Sequence, residues 1–203
     1  MPTKLLSLIL LFITLSACAP TAIVAVPSSI ADRRTTGAQV EDQTIEFKAT
    51  YEFQQIDGNF NISTTSYNQN VLLTGESESQ ELKEKVESTV AKIEGVKAIY
   101  NEILVTKPLS LKEKVKSKAK DYGITTNVKA RLFKEETKSK LSAAHVKVVT
   151  ERQIVHLMGI LSTKEAEEAE KIAKTSKGVV KVKTYFEIDN QYKKELIYFI
   201  KVL

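Results

Sequence analysis

The chain has 203 residues, enough for one large domain or two small ones. A net charge of +5 with 27% charged residues suits a soluble globular protein, and a single cysteine rules out an internal disulfide. The positive excess is local: between Ser110 and Thr150 there are 11 Lys/Arg against 4 Asp/Glu, and the rest of the chain is slightly acidic.

The first element is an export signal. Lys4 supplies a positive charge, and Leu5–Leu15 is an apolar run too short for a bilayer, which needs ~20 residues. Leu15-Ser16-Ala17-Cys18 follows, in the pattern of a lipobox. The chemistry needs a thiol there, because sulfur receives the diacylglyceryl group; the bland alternative is an ordinary secretory signal with an incidental cysteine. The chain's one cysteine falls at this point, so residues 1–17 are read as a signal peptide and Cys18 as the lipid-attachment residue. This covalent lipid is the only prosthetic group expected; no cofactor or metal is. Residues 18–43 are rich in Pro, Ser, Thr and Ala and are read as a lipidated flexible tether, with an r.m.s. reach of about 25–30 Å.

Beyond the tether the chain repeats itself. Asn70-Val71-Leu72-Leu73-Thr74-Gly75 and Ile154-Val155-His156-Leu157-Met158-Gly159 share V-x-L-x-G. Each is followed by a charged, helix-period run, a second glycine (Gly95, Gly178) and an alternating strand. This is a tandem duplication. Each copy is small enough to be marginal alone, so the copies are expected to dock on each other or on something else.

In the first copy, residues 44–106, the stretch Ile45–Phe53 fits either strand alternation or a helix stripe at Ile45, Ala49 and Phe53. The matching stripe Ile124, Val128, Leu132 in the second copy decides for helix in both. A hairpin follows around Ser66–Asn70, expected to be two residues longer than its counterpart. Next come a helix with a Ser77/Gln80 capping box and the face Leu82, Val86, Val90, Ile93, then a strand from Val96 to Val105. Lys107–Asp121 reads as a basic linker. The second copy, 122–188, runs helix Ile124–Glu136, hairpin Val146–Met158, a helix opened by Ser162/Glu165 and ended by Gly178, and strand Val179–Ile188. Residues 189–203 form an apolar C-terminal extension around Leu196–Ile200, read as an added strand or helix, or else as a partner or lipid contact.

An αββαβ unit with V-x-L-x-G in its hairpin and Gly-Val opening its last strand resembles the BON domain. Two such units behind a lipobox resemble the dual-BON outer-membrane lipoproteins of Gram-negative bacteria. The resemblance covers about Ile45 to Ile188. It is carried most specifically by Tyr100-Asn101-Glu102-Ile103, Ile124-Thr125-Thr126-Asn127-Val128-Lys129 and Val155-His156-Leu157-Met158-Gly159. It implies an α+β fold of two tandem BON domains, each a mixed three-stranded sheet with two helices on one face. It also implies binding of anionic phospholipids, such as phosphatidylglycerol or cardiolipin, chiefly by the first helix of the second unit, and a role in keeping the envelope intact. Gly123 stands where the family can carry an aromatic residue. Ala19, not aspartate, follows the cysteine, which in the lipoproteins it resembles favours the outer membrane, facing the periplasm.

On a helical wheel Ile124, Val128 and Leu132 span about 80° and should face the sheet. Opposite them Tyr122, Thr126, Lys129 and Phe133 fall within about 60° of one another. With Lys134 these are the candidate phospholipid-binding residues. The competing reading packs Phe133 on the first domain and leaves the lysines as a solvated face. No catalytic spacing is found: His145 and His156 read as structural or exposed, and Glu165, Glu167, Glu168 and Glu170 as a charged helix face. An exported lipoprotein meets little nucleic acid, so no nucleic-acid partner is expected. The alternative function is an adaptor whose BON units bind an envelope or peptidoglycan-machinery protein.

Overall fold

The computed structural model describes residues 32–136 and 141–189. Its elements run α1 (Thr36–Phe53), β1 (Phe60–Tyr67), β2 (Asn70–Ser77), α2 (Gln80–Val90), β3 (Ala98–Val105), α3 (Leu111–Glu136), β4 (Val146–Glu151), β5 (Ile154–Leu161), α4 (Thr163–Lys174) and β6 (Lys181–Ile188). The αββαβ order therefore occurs twice, as the repeat implied.

In each unit a hairpin pairs antiparallel and the last strand joins the hairpin's second strand in parallel, giving the sheet orders β1-β2-β3 and β4-β5-β6. Parallel pairing demands a crossover, and α2 and α4 supply it. The V-x-L residues are the inward-facing positions of the central strands. Val71 and Leu73 pack with Ile45, Ala49, Val86 and Ile103 in one core; Val155 and Leu157 pack with Ile124, Val128, Leu132 and Ile172 in the other. Strand alternation sends Leu72 and Met158 to the opposite faces, where they meet in a third cluster with Tyr67, Tyr100 and Tyr185. The two sheets thus lie back to back, and the helices of each unit form the outer layers. The expected docking of the copies takes this form.

Four local expectations are corrected. The two hairpins are equal in length: each turns on two residues with positive φ, Asn68-Gln69 (51°, 69°) and Arg152-Gln153 (50°, 66°). The extra polar residues around the first turn belong to longer strands. The cap of α2 is Ser79, whose hydroxyl accepts from Leu82 N–H, while buried Ser77 donates to the Ser79 carbonyl. The capping box at Ser162/Glu165 is present as expected. Gly95 and Gly178 lie a few residues past their helices, in turns with φ of +92° and +87°, rather than at the C′ position. Glu165 does not belong to the charged face of α4, because it is buried and ion-paired to Arg33.

The tether is shorter than composition suggested. α1 starts at Thr36, with Thr35 accepting from Ala38 N–H as its cap, and residues 32–35 are docked. Arg34 pairs with Asp32 and Asp42 and lies 4.2 Å from the centre of the Tyr67 ring, while Arg33 reaches across to Glu165 and the Ile160 carbonyl. These long-range ion pairs leave no periodic trace in a sequence. The basic linker is also mostly helix, since Leu111–Asp121 is the first part of α3. Its start was legible: the Glu113 carboxylate accepts from the Ser110 N–H and hydroxyl, a Ser-x-x-Glu pattern. Cys18 and the signal segment lie outside the described residues. So does the extension beyond Asp189, whose own N–H bonds the Leu161 carbonyl.

One side chain per unit fixes each turn. Asp42, from α1, accepts from the N–H groups of Asn68 (2.8 Å) and Gln69 (2.7 Å); Asp121, from α3, accepts from Arg152 (2.9 Å) and Gln153 (2.8 Å). Both aspartates are buried. The helix thereby holds the hairpin at its tip as well as through its apolar face.

Candidate membrane-binding face

The candidate face is the outer side of α3. Ile124, Val128 and Leu132 are buried against the sheet, which forces the residues about half a turn away into solvent. Tyr122 is 75% and Phe133 66% exposed, and Thr126, Lys129 and Lys134 are exposed with them. The competing placement of Phe133 on the first domain is excluded by that exposure. Tyr122, Thr126, Lys129 and Phe133 share one stripe. Lys134 lies about 100° round the helix from Phe133, on its flank.

The stripe is longer than sequence reading found. Leu111 and Val115 are exposed and continue it toward the helix start. From Leu111 to Phe133 it measures about 33 Å at 1.5 Å per residue. The 4-residue step from 111 to 115 and the 7-residue step to 122 are the available signal, obscured by the lysines among which they stand.

Not every cation near this helix serves the face. Lys118 is paired with Glu151, and Arg131 turns inward to the Ile172 carbonyl, Ser176 and Thr175. Charge separates the two units sharply. Residues 41–106 carry 5 Lys against 12 Asp/Glu, a net −7, whereas residues 107–189 carry 19 Lys/Arg against 11 Asp/Glu, a net +8. Because the sheets are back to back and some of these charges are used in the junction between them, the remaining acidic excess belongs to the layer with α1 and the remaining basic excess to the layer with α3. An anionic surface attracts the outer layer containing α3 and repels the one containing α1.

The junction between the sheets holds a polar cluster. Glu102 on β3 accepts from the Tyr185 hydroxyl at 2.8 Å and is ion-paired to Lys183, both on β6. Tyr185 lies 4.4 Å from Tyr100, ring centre to ring centre, and its hydroxyl is 3.3 Å from Nδ1 of buried His156. Arg152–Glu76 and Asn68/Asn70 with Glu187 add further ties between the units. His156 is therefore structural. Burial, reinforced by Lys183 and opposed by Glu102, pushes its pKa down to about 4 from 6.5. The Glu102 carboxyl lies below its usual value: burial would raise it, but the hydrogen bonds from Lys183 and Tyr185 outweigh that.

A pH dependence follows. A histidine with a depressed folded pKa contributes fully above 6.5, and that contribution is lost as pH falls from 6.5 toward 4, where the unfolded chain binds the proton and the folded one does not. The loss over that window is about 3 kcal/mol. Glu102 adds its own loss only below the unfolded carboxylate value. Urea unfolding between pH 7 and pH 4 is expected to show this slope, and His156→Gln should flatten it. A slope unchanged in His156→Gln would assign the acid sensitivity elsewhere.

The family model described as "BON domain" matches residues 41–107 and 120–190. The chain is 34% identical over 154 residues to the "Outer membrane lipoprotein DolP" of Haemophilus influenzae, covering 74% of this chain and 76% of that protein. It is also 34% identical, over the same shares of each, to the "21 kDa hemolysin" of Actinobacillus pleuropneumoniae. Among solved structures, the match to CdsD, a structural protein of the type III secretion system of Chlamydia trachomatis, covers 76% of this chain and 97% of that one. The TM-score is 0.26 and the identity 13%. Two units of the αββαβ order, two family matches and that degree of identity agree: the chain belongs to the BON-domain family, as a dual-BON lipoprotein anchored at the outer membrane.

Proposed function

We propose that the second BON domain reads the lipid surface to which the chain is anchored, binding anionic phospholipid through α3, and that this serves envelope integrity. The observation that carries the reading is the exposed stripe Leu111, Val115, Tyr122, Thr126, Lys129, Phe133 on the basic side of a charge-polarised molecule. Each basic residue near an anionic surface contributes about 1 kcal/mol, and aromatic side chains add apolar burial among headgroups. Acyl chains on Cys18 supply the anchorage. Tethering raises the local concentration of the face to ~mM, so weak affinity is enough to select among lipids. The role is binding rather than catalysis.

Without its anchor, the chain from Ala19 onward is expected to co-sediment with vesicles containing phosphatidylglycerol or cardiolipin and to be released by salt. Phe133→Ala combined with Lys129→Glu should weaken binding by about 3 kcal/mol, roughly a hundredfold. Binding indifferent to lipid charge, or to this pair of changes, would reject the reading. The adaptor alternative draws on the first domain, whose net −7 suits a protein partner better than an anionic bilayer. Stoichiometric capture of one envelope protein, lost on changing α1 rather than α3, would favour it.

A further inference from the structure

A three-stranded sheet has two edges, and on an edge strand every second residue turns its N–H and C=O away from the ladder. The two-residue turn at Asn68-Gln69 fixes which residues these are on β1. Tyr67, Thr65, Ser63 and Asn61 bond to β2, so Ser66, Thr64, Ile62 and Phe60 direct their backbone groups outward. The fold closes this edge at both ends. Glu46 accepts from the Ser66 N–H at 2.8 Å, and Glu78 from the Asn59 N–H at 3.0 Å. Between them the outward groups of Phe60, Ile62 and Thr64 have no partner among the described residues.

Edge strands are ordinarily guarded by charge, proline, shortness or a bulge. β1 has none of these. It pairs over eight residues without interruption, and Phe60–Tyr67 contains no charged residue. The other edges do: β3 carries Glu102, β4 Lys147 and Glu151, and β6 Lys181, Lys183 and Glu187. Beside the open stretch lies a groove of about 410 Å³, lined by Thr50 and Phe53 of α1 and by residues 60–64. Phe53 and Phe60 meet edge-on at 6.2 Å, and Phe47, 75% exposed, stands one turn before Thr50 on the outer rim. The Thr64 hydroxyl is enclosed with no hydrogen-bond partner among the described residues. At the matching place the second unit has Val148, buried in its core with Leu141. Packing favours valine at both places, so the core does not account for Thr64.

We propose that this edge and groove take up an extended segment of another protein, which adds to the first sheet as a fourth strand antiparallel to β1. Its backbone pairs with Phe60, Ile62 and Thr64, and alternate apolar side chains enter the groove beside Phe53. Charge selects the occupant. The unit is net −7, and Asp57 and Glu81 line a pocket around Gly58, just beyond the Phe60 end. A second copy pairing β1 with β1 would set two such units side by side. The segment is therefore one that carries Lys or Arg and lacks acids. Because α1 and α3 lie in opposite outer layers, this partner and the lipid surface engage the chain at separate places.

The test is fluorescence anisotropy with the full anchored chain in nanodiscs of neutral phosphatidylcholine. The probe is a labelled short peptide of alternating valine and threonine between terminal lysines. Two further probes carry N-methyl groups on the valine amides or on the threonine amides. In antiparallel addition the groove-facing residues are the ones that donate to β1, so valine methylation should abolish binding and threonine methylation spare it. Thr50→Arg, exposed at the groove, should weaken binding at least about tenfold, while Ser88→Arg, equal in charge and exposed on α2, should not. Phe133→Ala with Lys129→Glu should leave it unchanged, and a loss there would move the peptide to α3 and overturn the proposal. Equal binding of the two methylated probes, or binding indifferent to Thr50→Arg, would overturn it too. So would a dimer of the chain that Thr50→Arg breaks, which would assign the edge to a second copy.

Discussion

Gly75→Ala is expected to unfold the first domain. A Cβ at this position would lie 2.0 Å from the Asn61 carbonyl oxygen, a backbone atom that cannot move aside without breaking the β1–β2 ladder. The residue also has φ of +118°, a conformation essentially confined to glycine. The two penalties together exceed about 4 kcal/mol, a large part of the 5–15 kcal/mol that stabilises a typical domain. Circular dichroism melts and urea unfolding of the anchor-free chain should show loss of the first unit's transition or insolubility. A melting temperature close to the parent's would refute the geometric account. Gly159→Ala should be milder, at about 2–3 kcal/mol. Its added Cβ would meet the His145 carbonyl at 2.5 Å, but its φ is not positive. Gly123→Ala should have the opposite sign and stabilise by about 1 kcal/mol, since the site lies within α3 and faces open space.

Asp42→Ala should be the next most damaging change, at about 3–4 kcal/mol. The carboxylate accepts from two turn N–H groups, from the Ser66 hydroxyl at 2.6 Å and from Arg34 at 2.8 Å. Its loss leaves buried donors without acceptors in a turn whose positive φ values already cost energy for non-glycine residues. It also frees Arg34, and with it the segment that places Arg33 on Glu165. Asp121→Ala removes the matching pair of turn acceptors and only a long, 3.4 Å contact to Ser117, so about 2 kcal/mol is expected. Parallel urea titrations of the two variants give the comparison. Equal losses would mean that the Arg34 and Ser66 contacts add nothing. A loss below 1 kcal/mol for Asp42→Ala would mean that the turn stands without its clasp.

Much of the architecture was readable before any coordinates. Val71-x-Leu73-x-Gly75 and Val155-x-Leu157-x-Gly159 have a single physical meaning: two inward residues of a central strand, then a position where backbone of, or just ahead of, the neighbouring strand comes too close for a side chain. The outward placement of Tyr122, Thr126, Lys129 and Phe133 was equally legible, because helix periodicity with Ile124, Val128 and Leu132 buried leaves them no other direction. Composition misleads where it stands in for periodicity. Residues 32–43 look like a tether by their polar content, and residues 107–121 look like a linker by their lysines, yet the first segment is docked and much of the second is helix.

The duplication, the αββαβ order, the inward faces and the basic character of α3 can be read along the chain, because each is a local or periodic property. That Leu72, Met158, Tyr100 and Tyr185 form a junction, that Asp42 and Asp121 clasp the turns, and that Arg33 ties one unit to the other becomes visible only in the packed fold. Each of these joins residues tens of positions apart. It depends on which strand face meets which, and a one-dimensional pattern carries no record of that.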